Sequence, residues 1–390
     1  MRDKGGQMIN VFQPSVGAEE LAAVGKAFDS NWLGYGPRTR EFERDFGEHL
    51  GVPPETLLFL NSATSALGLT AQLLEFGPGD EVVVPSMSFV ANANTIAATG
   101  ARVVFCDVDP HTLNPSAADI AACLTPRTKA VTILHYGGHP GDVVAINELC
   151  RERGIPLVED AACAVHSRVD GRACGTFADI GIWSFDSRKI ITTGDGGMIY
   201  LRDPELVRRA HRLAYHGMED RGAFAAMAHN PRRWWDQTVH EVGRRLIGND
   251  MTAAIGRVQL RRLPGFVERR REISAAYDRM LAGLPGVRLS PPPPAGHEST
   301  HYFYWVQVDP ALRDGIAEYL LENGVYTTYR YPPLHRVPLY GSDAQLPGTD
   351  TAAATTLLLP LHQALTDAEV EQVARRFREA VERHAPSAAA

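Results

Sequence analysis

The sequence predicts an α/β protein: a mostly parallel sheet covered by helices on both faces, followed by a smaller α+β domain. Two observations carry this. Between residues 56 and 201, short apolar runs alternate with stretches of helical spacing, and the runs are continuous, as strands buried on both faces require. After about residue 263 the pattern changes to a long charged helix, a rigid connector at Pro291-Pro292-Pro293-Pro294, and then mixed strand and helix patterns. With 44% hydrophobic and 22% charged residues, the 390-residue chain has the composition of an ordinary globular protein. A net charge of −7 argues against a nucleic-acid or anionic-membrane surface. There is no apolar run of spanning length and no signal-peptide pattern at residues 1–8, so a cytoplasmic location is expected. The five cysteines form no CxxC pair, which favours free thiols over a zinc site.

In order, the pattern predicts helices at 18–30 and 39–50, separated by the glycine-rich turn 31–37. Strands follow at 56–60, 81–85, 101–107, 128–134, 155–159, 181–185 and 197–201. Helices at 63–74, 90–99, 116–124 and 143–153 lie between them. Each strand is a short run rich in Val, Ile, Leu or Phe, and each helix repeats its apolar positions every three to four residues. Then come a helix at 251–263, a charged helix at 266–284, a strand at 302–308, a helix at 314–323, an apolar run at 357–360 and an amphipathic helix at 367–383. The expected division is a large domain over 10–256 and a small one over 257–385.

In such sheets ligands sit beyond the carboxyl ends of the strands, where Ser62, Phe89, His135 and Asp160 fall. The most informative stretch is 184–197, Ser184-Phe185-Asp186-Ser187-Arg188-Lys189 followed by Ile190-Ile191-Thr192-Thr193-Gly194-Asp195-Gly196-Gly197, between two apolar strands. A lysine buried there is expected to have a lowered pKa and to act as a nucleophile toward an aldehyde such as pyridoxal phosphate. Taken alone, the same stretch also suits a tight turn with an exposed lysine. Asn61-Ser62-Ala63-Thr64-Ser65 joins a strand to a helix, which suits either plain capping or a phosphate on the helix amides. Glu159-Asp160 ends a strand; it is either a cap or a carboxylate for a pyridine nitrogen. Phe89 is equally a core phenylalanine or an aromatic stacked on a cofactor. His135 and His139 lie on a glycine turn without carboxylate spacing, and no metal is expected.

The 184–197 stretch resembles the S-F-x-x-x-K-x-x-T-T-G-(D/E)-G-G pattern of the DegT/DnrJ/EryC1/StrS sugar aminotransferases, pyridoxal phosphate enzymes of fold type I. The resemblance extends from Trp32 to about Val370. It implies that Lys189 forms the Schiff base and that Asp160, rather than Glu159, meets the pyridine nitrogen. It also implies that Ala63, Thr64, Ser65 and Ser184 lie at the phosphate and that Phe89 stacks on the ring opposite Ala162. Position 163 carries Gln or His in the family and contacts the cofactor's phenolic oxygen. Cys163 departs from that pattern, and a thiol is a much weaker partner. Residues 253–260 resemble the A-A-(I/L)-G-x-x-Q-L helix. Counting back from it gives Arg245, or Asn249 with a gap, as the residue reaching the neighbouring subunit's cofactor phosphate. Arg330, Tyr331 and His335 match a segment lining the substrate cleft, with Arg330 replacing a histidine, and Arg336 follows. The implied function is transfer of an amino group from L-glutamate to C4 of a nucleotide-linked keto-deoxysugar, with dTDP as the expected nucleotide, in a homodimer with shared sites. A 3-keto sugar or a cyclitol is the alternative acceptor. The family's dehydratases carry histidine where Lys189 stands, and a non-catalytic regulator is the remaining reading.

Overall fold

The computed structural model describes residues 8–219, 233, 235, 236 and 238–384. In chain order the strands are β1 (Leu57–Leu60), β2 (Glu81–Pro85), β3 (Arg102–Cys106), β4 (Thr128–Leu134), β5 (Leu157–Asp160), β6 (Arg168–Val169), β7 (Arg172–Ala173), β8 (Ile180–Ser184), β9 (Gly197–Leu201), β10 (Arg288–Leu289), β11 (His297–Glu298), β12 (Tyr304–Gln307) and β13 (Thr356–Leu359). The central sheet has seven strands in the order β1-β9-β8-β5-β4-β2-β3. β9 pairs antiparallel with both neighbours, and the remaining pairings are parallel.

The continuous apolar runs follow from burial on both faces. Successive strand side chains point to opposite sides. Leu58 and Leu60 join Leu67, Leu69, Ile182 and Leu213 on one side. Phe59 joins Phe42, Phe46, Trp183 and Phe185 on the other. Phe42 meets Phe59 edge-on at 5.0 Å and Phe46 meets Trp183 at 5.4 Å, the geometry the ring quadrupoles favour. A second core surrounds the three-stranded sheet β10-β12-β13 and includes Tyr277, Tyr304, Val306, Leu320 and Phe377.

The two helices expected at 251–263 and 266–284 are one helix, Asp250–Leu281, of 32 residues with Pro264 inside it. At 1.5 Å per residue it is about 48 Å long. An interior proline costs a helix about 3 kcal/mol. Here Leu263 and Phe266, on either side of it, are buried in the first core, while Ile273, Tyr277 and Leu281 are buried in the second. Each such burial is worth about 1.5–3 kcal/mol, so tertiary packing outweighs the local penalty. The boundary expected at 256/257 falls within this helix. The pattern does not predict helices Pro204–Leu213 and Pro347–Thr355; each begins with a proline in its first turn, a position that needs no N–H partner. Among the described residues, no helix is long and apolar enough to cross a membrane.

Candidate active site

The connection from β8 to β9 is folded on itself. Phe185 N donates to Gly196 O at 2.9 Å and Thr193 N donates to Phe185 O at 3.0 Å. Thr192 Oγ1 donates to Phe185 O at 3.1 Å and accepts from Gly194 N at 2.9 Å. Gly194 sits at φ +87°, where a side chain would be strained. At Gly197 a Cβ would fall 2.5 Å from the amide nitrogen of Ala63, so glycine lets β9 pass against the start of helix Ala63–Leu73. The long helix holds the loop from outside: Gln259 Oε1 accepts from Thr192 N at 3.3 Å, and its Nε2 donates to Ser15 O and Glu20 Oε1, both at 2.8 Å.

This loop delivers Lys189 into a cavity of about 190 Å³. Its Nζ lies 3.7 Å from Cys163 Sγ and 4.8 Å from the centroid of the Tyr302 ring. The lowered pKa expected from burial does not result. Burial does oppose the ammonium, but the interactions with Cys163, Tyr302, Asp160 and Asp186 outweigh it and move the pKa above its ordinary value.

Asp160 closes β5 and is 4% exposed. Its Oδ1 accepts from Ala162 N at 3.0 Å and its Oδ2 accepts from Asn92 Nδ2 at 2.7 Å. Glu159 points to the opposite side of the sheet, where it accepts from Gly175 N and Ala178 N, both at 2.6 Å, and pairs with His135 at 3.0 Å. The alternation of the strand thus separates the two carboxylates. His135, which its strand-end position made a candidate, is fully buried in that pair and does not line the cavity.

Ala63, Thr64, Phe89, Asp160, Cys163, Ser184, Lys189, Arg330 and Tyr331 all line the one cavity, together with Ser62 and Ala162. Other expected site residues lie outside it. Ser65 is occupied in the cap, its N donating to Ser62 Oγ at 3.0 Å and its Oγ to Asn61 Oδ1 at 2.6 Å. His335 is buried against Ser86, with Nδ1 2.7 Å from Ser86 Oγ, and pairs with Asp350 at 3.3 Å. Asn249 caps the long helix, accepting from Thr252 N at 3.0 Å. Arg245 is exposed on the surface, its guanidinium 5.5 Å from the Tyr215 ring centroid. Arg336 also lies away from the cavity, paired with Asp350 at 2.6 Å.

The structure adds residues that the pattern did not single out. Asn92 follows Phe89 by three positions and faces Asp160 from the first turn of Val90–Ala97. Tyr302 lies just before β12 and places its ring beside Lys189. Arg188, next to Lys189 in the chain, lines the same cavity. Only Arg188 carried a signal in the sequence, through its adjacency to the lysine.

A family model described as the DegT/DnrJ/EryC1/StrS aminotransferase family matches residues 14–378. The chain belongs to this family. A curated relative from Saccharopolyspora spinosa, named dTDP-4-dehydro-2,3,6-trideoxy-D-glucose 4-aminotransferase, is 60% identical over 97% of this chain and 98% of its own. The crystal structure of an aminotransferase TlmJ from Streptoalloteichus hindustanus is 58% identical, covers 96% of this chain and 99% of its own, and superposes with a TM-score of 0.92. The putative sugar aminotransferase Spr1654 from Streptococcus pneumoniae, in its PLP-form, is 26% identical over 97% of this chain and 100% of its own, with a TM-score of 0.88.

As a DegT/DnrJ/EryC1/StrS protein, the chain is a pyridoxal phosphate-dependent aminotransferase of fold type I. Its own residues fit that cofactor. The close pass of Gly197 against Ala63 N sets the first amides of a helix, with Thr64, at one side of the cavity, and Ser184 adds a hydroxyl. Asp160 supplies a buried carboxylate and Lys189 a primary amine in the same space. An aldehyde, a pyridine nitrogen and a phosphate each have a chemically matched partner.

Proposed function

We propose that this aminotransferase moves an amino group from L-glutamate to C4 of a dTDP-linked keto-deoxysugar. The observation that carries the choice of acceptor is the 60% identity, along nearly the whole chain, to the relative named for a dTDP-4-keto-trideoxyglucose. The cavity agrees with the chemistry. Lys189 is the amine that carries the cofactor and, once displaced, the base that moves the proton at the reacting carbon. Asp160, oriented by Asn92, keeps the pyridine nitrogen protonated. Bound pyridoxal phosphate supplies the electron sink for that proton transfer. Arg188 and Arg330 bring two guanidinium groups to the cavity, suited to the carboxylates of the donor or the diphosphate of the acceptor.

The proposed assembly is a homodimer in which Arg245, or Asn249, reaches the partner's site. The placement of both residues outside the cavity of their own chain agrees with this. The proposed location is the cytoplasm.

The acceptor is tested by loading the enzyme with pyridoxamine phosphate and offering dTDP-4-keto-2,3,6-trideoxyglucose, dTDP-4-keto-6-deoxyglucose, a 3-keto isomer and a cyclitol ketone. The visible absorbance should return fastest with a dTDP-4-keto sugar. Return with the cyclitol alone would overturn the sugar-nucleotide reading and leave the aminotransferase standing.

A further inference from the structure

Cys163 and Tyr331 meet beside Lys189. Cys163 Sγ is 3.7 Å from Lys189 Nζ and 3.8 Å from Tyr331 Oη. Both residues line the cavity, and both are buried. In pyridoxal phosphate the phenolic oxygen sits on the ring carbon next to the one bearing the aldehyde. A group close to the amine that takes the aldehyde is therefore close to that oxygen as well. Two side chains compete for the contact. A thiol is a weak donor, whereas a phenol is a strong one.

The Tyr331 ring is fixed by aromatic neighbours: Phe89 at 5.7 Å, Phe303 at 6.2 Å and Tyr136 at 6.3 Å between centroids. Its hydroxyl has no nitrogen or oxygen partner among the described residues; its bond is to the Cys163 sulfur. A donor held rigidly, with a weak acceptor in front of it, is prepared for a better one. Burial pushes the phenol well above its ordinary pKa, with Cys163, Tyr302 and Asp160 adding to the effect, so it keeps its proton. Burial likewise pushes the Cys163 thiol up, against Lys189, so it stays a neutral thiol. Charged and titratable groups facing this point are Lys189, Asp160, Cys163, Tyr302 and Tyr136, with Arg330 in the same cavity.

We propose that Tyr331 binds the cofactor, donating a hydrogen bond from Oη to its phenolic oxygen, and that Cys163 only fills space at that point. This rests on the placement of the cofactor at Lys189.

The test is a pH titration of the visible absorbance of the holoenzyme in wild type, Tyr331→Phe and Cys163→Ala. The phenylalanine keeps the ring packing and removes only the hydroxyl. A hydrogen bond donated to the anionic phenolic oxygen weakens its hold on the neighbouring proton. Loss of the bond should raise the midpoint by about one pH unit, a tenfold change in proton affinity. Cys163→Ala should move it by less. An unchanged midpoint in Tyr331→Phe, or a shift in Cys163→Ala as large or larger, overturns the proposal. Borohydride labelling of the same three proteins separates the two readings. A label on Lys189 in all of them leaves the titration to decide about Tyr331, and a label elsewhere in wild type overturns both.

Discussion

Asn92 Nδ2 donates to Asp160 Oδ2 across 2.7 Å, and both side chains are buried. A hydrogen bond to a charged group is worth about 1.5–3 kcal/mol. If it serves to aim the carboxylate at the pyridine nitrogen, Asn92→Ala should lower kcat/KM by about 10- to 150-fold. Asp160→Asn should slow both half-reactions more strongly while leaving cofactor bound. Stopped-flow measurement of the glutamate half-reaction checks both. An Asn92→Ala rate within about twofold of wild type, or near-normal turnover in Asp160→Asn, would remove this role.

Arg188 and Arg330 line the cavity, whereas Arg336 is tied to Asp350 outside it. Arg188→Gln should raise KM for glutamate or for the sugar nucleotide by about tenfold, with a smaller change in kcat, as expected when binding is lost equally from ground and transition states. Arg336→Gln should leave both KM values near wild type. Steady-state kinetics with each substrate varied in turn identifies which anion Arg188 meets. Equal effects of the two substitutions would contradict the assignment.

The pair His135–Glu159 lies beneath the site with both side chains fully buried, 3.0 Å apart. Burial opposes charging of His135, but neighbouring Cys174 and Glu159 outweigh it and push the pKa up to about 10. A folded pKa above the unfolded value of about 6.5 means that the pair's contribution to stability is complete below that pH and is lost as pH rises through about 10. Thermal melts between pH 6 and 10 should fall more steeply for wild type than for His135→Asn. Breaking the pair with Glu159→Leu should cost about 3–5 kcal/mol, because it leaves His135 Nε2 and two backbone amides without their carboxylate partner. Parallel melting curves for wild type and His135→Asn would show that the pair carries no proton-linked stability.

The strands of the central sheet were legible because each is apolar on both faces, and the lysine loop because its glycines and threonines close the turn that presents Lys189. Local pattern misled where tertiary packing decides. Pro264 reads as a helix end, yet the residues around it are buried in two cores and the helix runs through. His335 follows Tyr331 closely in the chain but turns to Ser86, and position along the chain does not reveal that turn. Asn92 and Tyr302 were missed for the same reason. Asn92 meets its partner 68 residues away, and Tyr302 comes from the far side of the proline connector. The direction of the Lys189 shift was also beyond local reasoning, since it depends on four side chains from three separate segments.

If each site draws on two subunits, Lys189→Ala and Arg245→Ala protein, each impaired alone, should complement on mixing. Random exchange in a two-fold dimer would restore about a quarter of the sites. Activity after exchange, with exchange itself verified by mass-tagged subunits, is the readout. No recovery in exchanged dimers would remove Arg245 as the residue that crosses the interface and turn attention to Asn249.

The claim on which the account depends is that Lys189 carries the cofactor. Borohydride reduction of the holoenzyme followed by peptide mass spectrometry tests it directly. The account predicts a single phosphopyridoxyl adduct, on the peptide containing Lys189, and none in Lys189→Ala protein. An adduct on Lys26, Lys129 or any other amine in the wild-type enzyme would contradict it.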